Sequence, residues 1–397
     1  MIRAKVLHII PSLAAIHGGP TTAVIEMMEA LNAMGFSNAV ALSDDDGRRR
    51  RLSADAPERQ IKDRFYFPKQ SDFYTYTPAM AGWLNTHVTN FDLVHIHGLF
   101  SHVNILTGRA CRRHNIPYLI TLHGMANRYG MRHKRLRKMI SFWLFEQRLL
   151  NQAHVVHLTS LDEARDFADL NIGTATRIIP LAVRSVGDNT TDAKADAKTD
   201  TKPRHQDKSR PYQILFMGRL HPIKNIEAVI AALAQPDMSD YHLHICGEGA
   251  PKYVNQLKAY AEQLGVAEQV TWRGFISGSE KVRLFTKSDI FVLPSFSESF
   301  GISAIEALSA GLPLVLSRHV ANAETLANAG LAKVTDTSDA EIASGFRQVS
   351  KWKDKAFMAK AKAYFSNHYD KSIVLKSLAM LYDDILDKSH IKTDKNL

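Results

Sequence analysis

A chain of 397 residues has room for more than one domain, and its 45% apolar and 23% charged composition is that of an ordinary globular protein. Its two cysteines, Cys111 and Cys246, are too few and too scattered for a disulfide framework or a cysteine-based zinc site, and they read as reduced, buried thiols of a cytosolic protein. The net charge of +10 is uneven: residues 1–187 hold 23 Lys/Arg against 15 Asp/Glu, which predicts an anionic partner for this half, whether nucleic acid, membrane phosphate or a phosphorylated substrate.

The first apolar run, Val6 to Ile10, is short and stops at Pro11, so no signal peptide is expected, and no stretch reaches the length of a bilayer span. Strand-like runs follow at Lys5–Ile10, Ser37–Leu42, Leu93–His97, Tyr118–Leu122, Val155–Thr159 and Arg177–Ile179. Helical patterns lie between them at Thr21–Met34, Val103–His114 and Arg135–Leu150. From Thr190 to Ser209 no large apolar residue occurs, so this Ala/Asp/Lys/Thr-rich stretch buries nothing and reads as a linker. Alternation then resumes with strands at Ile214–Met217, His242–Cys246, Val270–Trp272, Ile290–Leu293 and Leu314–Leu316, and Ser372–Leu386 is an amphipathic helix. This pattern predicts an α/β protein of two doubly wound parallel-sheet domains, with ligands at the carboxyl ends of the strands in the cleft facing both. The expected divisions are residues 1–187, a linker at 188–210, a second domain at 211–370, and a terminal helix and tail at 371–397, whose docking site the pattern does not give and for which the first domain is one candidate.

The chemistry-bearing motifs fall at those strand ends. Gly18-Gly19-Pro20 precedes the first helix, where a glycine pair admits a phosphate or sugar close to the backbone, although a plain strand-to-helix turn explains it equally well. His95 and His97 share a strand face, and His123 ends a neighbouring strand. Three imidazoles can converge on a metal, but no carboxylate or cysteine lies near in sequence. His95 therefore reads as a core histidine, and His97 and His123, each followed by glycine, read as cleft residues. In FMGRLHPIKN, Gly218 permits close approach, while Arg219 and Lys224 set two cations just before a helix, suited to phosphate oxygens. Neither G-x-G-x-x-G nor a phosphate-binding G-x-x-x-x-G-K-[ST] occurs. PSFSESFGISAIEALSAG joins a buried strand to a helix through a turn that aims backbone N–H groups at an anion, yet carries Glu298 in the turn and Glu306 in the helix.

Gly218-Arg219, Lys224, CGEG at Cys246–Gly249, RGFI at Arg273–Ile276 and Glu298-x7-Glu306 come in one order. In this they resemble the retaining glycosyltransferases of family 4, which have the GT-B fold. The first half, with HGLF, TLHGM and a basic segment before FEQRLL, is similar to members that build bacterial exopolysaccharide, capsule or lipopolysaccharide. One departure is IIPLAV at Ile178–Val183, where relatives carry Pro-Asn-Gly-Val.

The resemblance implies a nucleotide diphosphate sugar as donor, a saccharide or lipid-linked saccharide as acceptor, no cofactor and no metal. It assigns donor contacts to Gly18, Gly19, Gly218, Gly247, Phe275, Ile276, Phe300, Gly301 and Glu306, with Glu306 on the ribose and the backbone at Phe300 and Gly301 on the diphosphate. His123, Arg219, Lys224 and Glu298 take the catalytic roles, and His97 faces the acceptor. The two carboxylates beside an anion site then make sense as acceptors for sugar and ribose hydroxyls. Asp44-Asp45-Asp46 contains the Asp-x-Asp of metal-dependent glycosyltransferases, but the arginines after Gly47 favour a charged loop. Arg128 to Phe145 carries six Lys/Arg and then Ile140, Phe142, Trp143 and Phe145, a pattern suited to an anionic membrane at the inner face. Two rivals remain: a GT-B sugar-nucleotide epimerase, and a basic nucleic-acid-binding protein, which lacks any helix-turn-helix or aromatic-basic signature.

Overall fold

The computed structural model describes residues 2–14, 19–47, 51–53, 61–127, 135–188 and 210–394. Gly18, the basic stretch from Arg128 to Lys134 and the linker from Thr190 to Ser209 lie outside them. The chain divides into two compact units, residues 1–182 with 372–397, and residues 183–371.

The first unit is built on a parallel sheet of β1 (Ala4–Ile9), β2 (Phe36–Ser43), β3 (Arg64–Phe67), β4 (Leu93–His97), β5 (Tyr118–Thr121), β6 (Val155–Leu158) and β7 (Thr176–Ile178), in the order β3-β2-β1-β4-β5-β6-β7. The second has β8 (Tyr212–Met217), β9 (Tyr241–Cys246), β10 (Val270–Gly274), β11 (Ile290–Leu293), β12 (Leu314–Ser317) and β13 (Ala332–Thr335), in the order β10-β9-β8-β11-β12-β13. Each order reverses once, beside β1 in one sheet and beside β8 in the other, and a doubly wound sheet opens a crevice at such a point. The expected α/β class is what the structure has.

Central strands were legible because burial on both faces demands continuous apolar runs; β11, IFVL, keeps its predicted bounds. Two edge strands, β3 and β13, escaped detection. Every residue of RFYF in β3 is half-buried and AKVT in β13 is buried only at its two ends, so neither shows the run that marks a central strand. The predicted helix Arg135–Leu150 is a helix at Arg135–Ser141, a π-helical turn at Phe142–Glu146 and a helix at Gln147–Asn151. The wide turn accompanies an inward-facing Glu146, which is buried.

One face of the first sheet is covered by the helix Lys371–Asp394. Its Val374, Leu375, Leu378, Tyr382 and Ile385 pack with Ala4, Val6, Leu93, Leu119 and Val155. Each such side chain contributes about 1.5–3 kcal/mol when fully buried. The C-terminal segment is therefore a layer of the first unit, although it follows the second in sequence.

Candidate active site

In the second unit the loops after β8, β9, β10 and β11 are stitched together by backbone hydrogen bonds. The N–H of Gly218 donates to Cys246 O (3.0 Å), that of Leu220 to Glu248 O (2.8 Å), and that of Gly247 to Gly274 O (2.7 Å). These crossings leave no room for side chains. A Cβ on Gly247, whose φ is +136°, would stand 1.9 Å from Gly218 O, and one on Gly249 would stand 2.2 Å from Leu220 O. The two glycines of CGEG are thus required by chain packing before any ligand is considered.

The turn after β11 is held as firmly. Phe296 N donates to Ile223 O (2.8 Å), Glu298 N to His319 O (3.0 Å), and Ala321 N to Glu298 O (2.8 Å). Ser317 Oγ donates to Ser295 O (2.5 Å), and Asn225 Nδ2 reaches Thr337 O (2.8 Å). Gly301, at φ +77°, caps the helix Ile302–Ser309, and Phe300 beside it is buried. Lys224 Nζ pairs with Glu298 Oε2, so the structure brings two residues 74 positions apart into one ion pair. The positive charges of Arg219 and Lys224 add to desolvation in lowering the His221 pKa, which places both cations near that ring. Arg219 itself is exposed. Glu306 Oε1 accepts from Lys281 Nζ at 2.6 Å, a partner that sequence reading did not single out. In the RGFI motif Phe275 is 72% exposed while Ile276 is buried.

The first unit concentrates imidazoles. Register puts His8 of β1 beside His95 of β4, and His97 of β4 beside Thr121 of β5, which in turn faces His157 of β6. All stand on the sheet face that Lys371–Asp394 covers. Two hydrogen-bonded columns result. In one, Tyr382 OH lies 2.6 Å from His95 Nδ1, His95 Nε2 lies 2.6 Å from Thr121 Oγ1, Thr121 Oγ1 lies 2.7 Å from His157 Nδ1, and His157 Nε2 lies 2.7 Å from Ile179 O. A carbonyl only accepts, so His157 carries its proton on Nε2 and the directions follow back to a donating Tyr382. In the other column His8 Nε2 meets Asn38 Oδ1 (2.9 Å), His8 Nδ1 meets His97 Nε2 (3.1 Å), and His97 Nδ1 meets His123 Nε2 (3.1 Å).

His97 is 2% exposed with both nitrogens engaged, so it stands behind His123 and has no surface of its own to offer an acceptor. His123 lines a small cavity with His97, Thr121, His157, Val24 and Leu375. It adopts φ +51°, a left-handed backbone that costs a non-glycine residue roughly 1–3 kcal/mol. The turn is clamped by buried Glu163, which accepts from Gly124 N (2.6 Å), Thr159 N (2.6 Å) and Thr159 Oγ1 (2.9 Å). Ser160-x-x-Glu163 was readable as a helix N-cap signal, and Ser160 Oγ does accept from Glu163 N (3.1 Å).

His8, His95 and His97 are close enough to hold a metal ion, but their ring nitrogens already have protein partners. The set therefore does not fit a metal without rearrangement. The Asp-x-Asp stretch is structural: buried Asp44 accepts from Arg51 Nε (2.9 Å) and Lys69 N (2.8 Å), and Asp45 from Lys69 Nζ (2.7 Å). Gly19 begins the helix Gly19–Ala33, and its partner Gly18 lies outside the described residues.

Comparison with known proteins matches both units. Residues 18–182 fit the glycosyl transferase 4-like domain, and residues 197–364 fit the glycosyl transferases group 1 domain. The Anabaena protein HepE, solved in complex with UDP, superposes with a TM-score of 0.73 at 19% identity, covering 96% of this chain and 100% of that one. The chain pairs two glycosyltransferase-family domains on the GT-B fold. An uncharacterised glycosyltransferase of Methanocaldococcus jannaschii is 40% identical over 107 residues, 26% of each chain. D-inositol 3-phosphate glycosyltransferase of Corynebacterium glutamicum is 27% identical over 266 residues, 61% of this chain and 60% of that protein. The alignments thus span about a quarter and three-fifths of these relatives' lengths.

Burial of these rings predicts an acid-sensitive fold. Desolvation lowers His8 and His157 from 6.5 to about 4 and His123 to about 3, and it pushes His95 and His97 well below 6.5. Above pH 6.5 the rings are neutral in both states; below it the unfolded chain binds more protons, so stability is lost as pH falls toward the folded values. Each ring costs ~1.4 kcal/mol per pH unit in that window. Desolvation raises Glu146 to about 7 and also raises Glu163, which act in the opposite sense, but the lowered histidines outnumber them, His244 at about 4 included. Melting temperature should fall steeply from pH ~6.5 to ~5, and His157→Gln should flatten the slope by about one proton. A melting temperature independent of pH across this range would contradict the assignment.

Proposed function

We propose that the chain transfers a sugar, with retention and without a metal, from a nucleotide diphosphate sugar to a saccharide or lipid-linked saccharide acceptor in bacterial surface polysaccharide synthesis. The Lys224–Glu298 ion pair carries this reading. A cation suited to phosphate and a carboxylate suited to sugar hydroxyls lie side by side beside the N-terminus of Ile302–Ser309, and a glycosidic bond to diphosphate presents that same pair of groups. HepE binds UDP and UDP-glucose, which supports a uridine nucleotide as donor. The inositol phosphate relatives support a second acceptor class, a phosphorylated polyol.

In this mechanism Arg219 and Lys224 stabilise the charge that grows on the departing diphosphate, a task a metal performs elsewhere. Glu298 orients the reacting sugar and Glu306 holds the ribose. The leaving phosphate takes the acceptor proton on the same face, while His123 contacts a sugar hydroxyl. An epimerase would instead release a free epimerised sugar nucleotide without acceptor, and the family match gives no support to a nucleic-acid binder. Removing either cation should lower kcat roughly 100-fold, because the charge it stabilises belongs to the transition state. Glu298→Ala should also lower kcat, whereas Glu306→Ala should mainly raise donor KM. Near-normal kcat in both Arg219→Ala and Lys224→Ala would refute this placement of the leaving group.

The reading includes peripheral binding at the inner face of the membrane. No helix among the described residues is long and apolar enough to cross one. Around the π-helical turn, Trp143 is 69%, Leu144 62% and Ile140 57% exposed, following directly on Lys138 and the basic run. Apolar side chains at a basic surface are suited to anionic lipid. Sedimentation with anionic but not neutral vesicles is expected, weakened by salt and by Trp143→Ser with Leu144→Ser. Equal binding to both vesicle types, or none, would remove the membrane from the account.

A further inference from the structure

The histidine column that ends at His123 has a direction, and the backbone fixes it. Asn38 N–H donates to Asn32 Oδ1 (3.0 Å), so that oxygen is an acceptor facing Asn38. The Asn38 side chain therefore turns Nδ2 toward it (2.9 Å) and toward Met28 O (3.3 Å), which leaves Asn38 Oδ1 facing His8 Nε2. An amide oxygen cannot donate, so His8 carries its proton on Nε2 and its Nδ1 is a bare lone pair. His97 must then donate from Nε2 to His8 Nδ1, and His123 from Nε2 to His97 Nδ1. The reverse polarity would set a bare His8 Nε2 against Asn38 Oδ1, two acceptors in a buried site. His123 Nδ1 is left as an enclosed lone pair with no partner among the described residues.

We propose that Asn38, His8 and His97 are positioning residues which lock His123 in the Nε2–H tautomer, so that the group offered to the transferred sugar is always an acceptor and never a donor. This deepens the proposed function and rests on its assignment of His123 to a sugar hydroxyl. An imidazole with a free choice of tautomer would present an N–H to that hydroxyl part of the time. Here every N–H of the column points inward, from His123 toward Asn38. The aligned bonds polarise one another and put the negative end of the chain at His123 Nδ1. Positive charge develops on a sugar as its glycosidic bond breaks, so a preorganised lone pair beside it favours the transition state over the bound ground state. The left-handed backbone of His123 and the Glu163 clamp on Gly124 hold the last ring in place. Burial serves the same end, because desolvation keeps His8, His97 and His123 neutral and so keeps each lone pair available.

The test is a long-range proton–nitrogen spectrum of the full chain labelled with [15N]histidine, recorded without substrate and read beside donor kinetics with UDP-glucose. His123 is assigned by the signal lost in His123→Gln. In the wild type it should carry its proton on Nε2 with a bare Nδ1. His8→Phe and Asn38→Ala, which break the relay one and two links behind His97, should give mixed His123 tautomers and lower kcat roughly tenfold or more at little-changed donor KM. Should His8→Phe fail to fold, Asn38→Ala carries the comparison at the outer end of the column. A wild-type His123 protonated on Nδ1, or a tautomer unchanged in both relay variants, would overturn the relay. A wild type with the stated tautomer but no transfer from any nucleotide sugar would instead overturn the sugar contact.

Discussion

Parallel strand pairing is the constraint on which both candidate sites depend. Within each sheet the strands pair in parallel, so the carboxyl ends of all strands lie along one edge. Loops from sequence positions far apart then meet without any special arrangement. Lys224 follows β8 and Glu298 follows β11, and those strands are neighbours. The same pairing brings His8, His95, His97, Thr121 and His157 onto adjacent strands of one face, where they extend the apolar surface of that sheet into a polar one.

A buried imidazole is tolerated only when it is neutral and its nitrogens are used. The first unit meets this demand with two hydrogen-bonded columns. One column ends on a carbonyl at the exit of β7 and on Tyr382 of the C-terminal helix, so it ties the covering layer to the sheet. The other ends on a single unused lone pair. One column is thus closed at both ends and the other is open at one. The second unit meets a different demand, close backbone crossing, through Gly247 and Gly249, and so frees the strand-end loops to present Lys224, Glu298 and the helix at Ile302.

The fold class was legible because central parallel strands carry unbroken apolar runs and helices carry their own period. Edge strands such as β3 share neither trait, so they were not. Gly247, Gly249 and Gly301 could be read from local motifs, since close crossing or a left-handed backbone demands glycine there, whereas Glu298 was read from its motif alone. The Lys281–Glu306 pair could not, because nothing local in either segment signals that two helices meet. The histidine columns were the least legible feature. His8 and Asn38 each stand singly in an apolar strand, and each alone reads as an ordinary satisfied core residue. Only register shows that they share a hydrogen-bond chain with His97 and His123, and register is a property of pairing that no single segment contains.

The central claim is that the loops after β8 and β11 hold a nucleotide diphosphate sugar, and a thermal-shift screen of the whole chain with UDP-, GDP- and ADP-sugars tests it most directly. A ligand present at about 100 times its dissociation constant adds about 2.7 kcal/mol of stability. The account predicts that one nucleotide class, the uridine sugars, raises the melting temperature, and that Lys224→Ala abolishes most of that rise. No stabilisation by any nucleotide sugar, or an equal rise in Lys224→Ala, would contradict it.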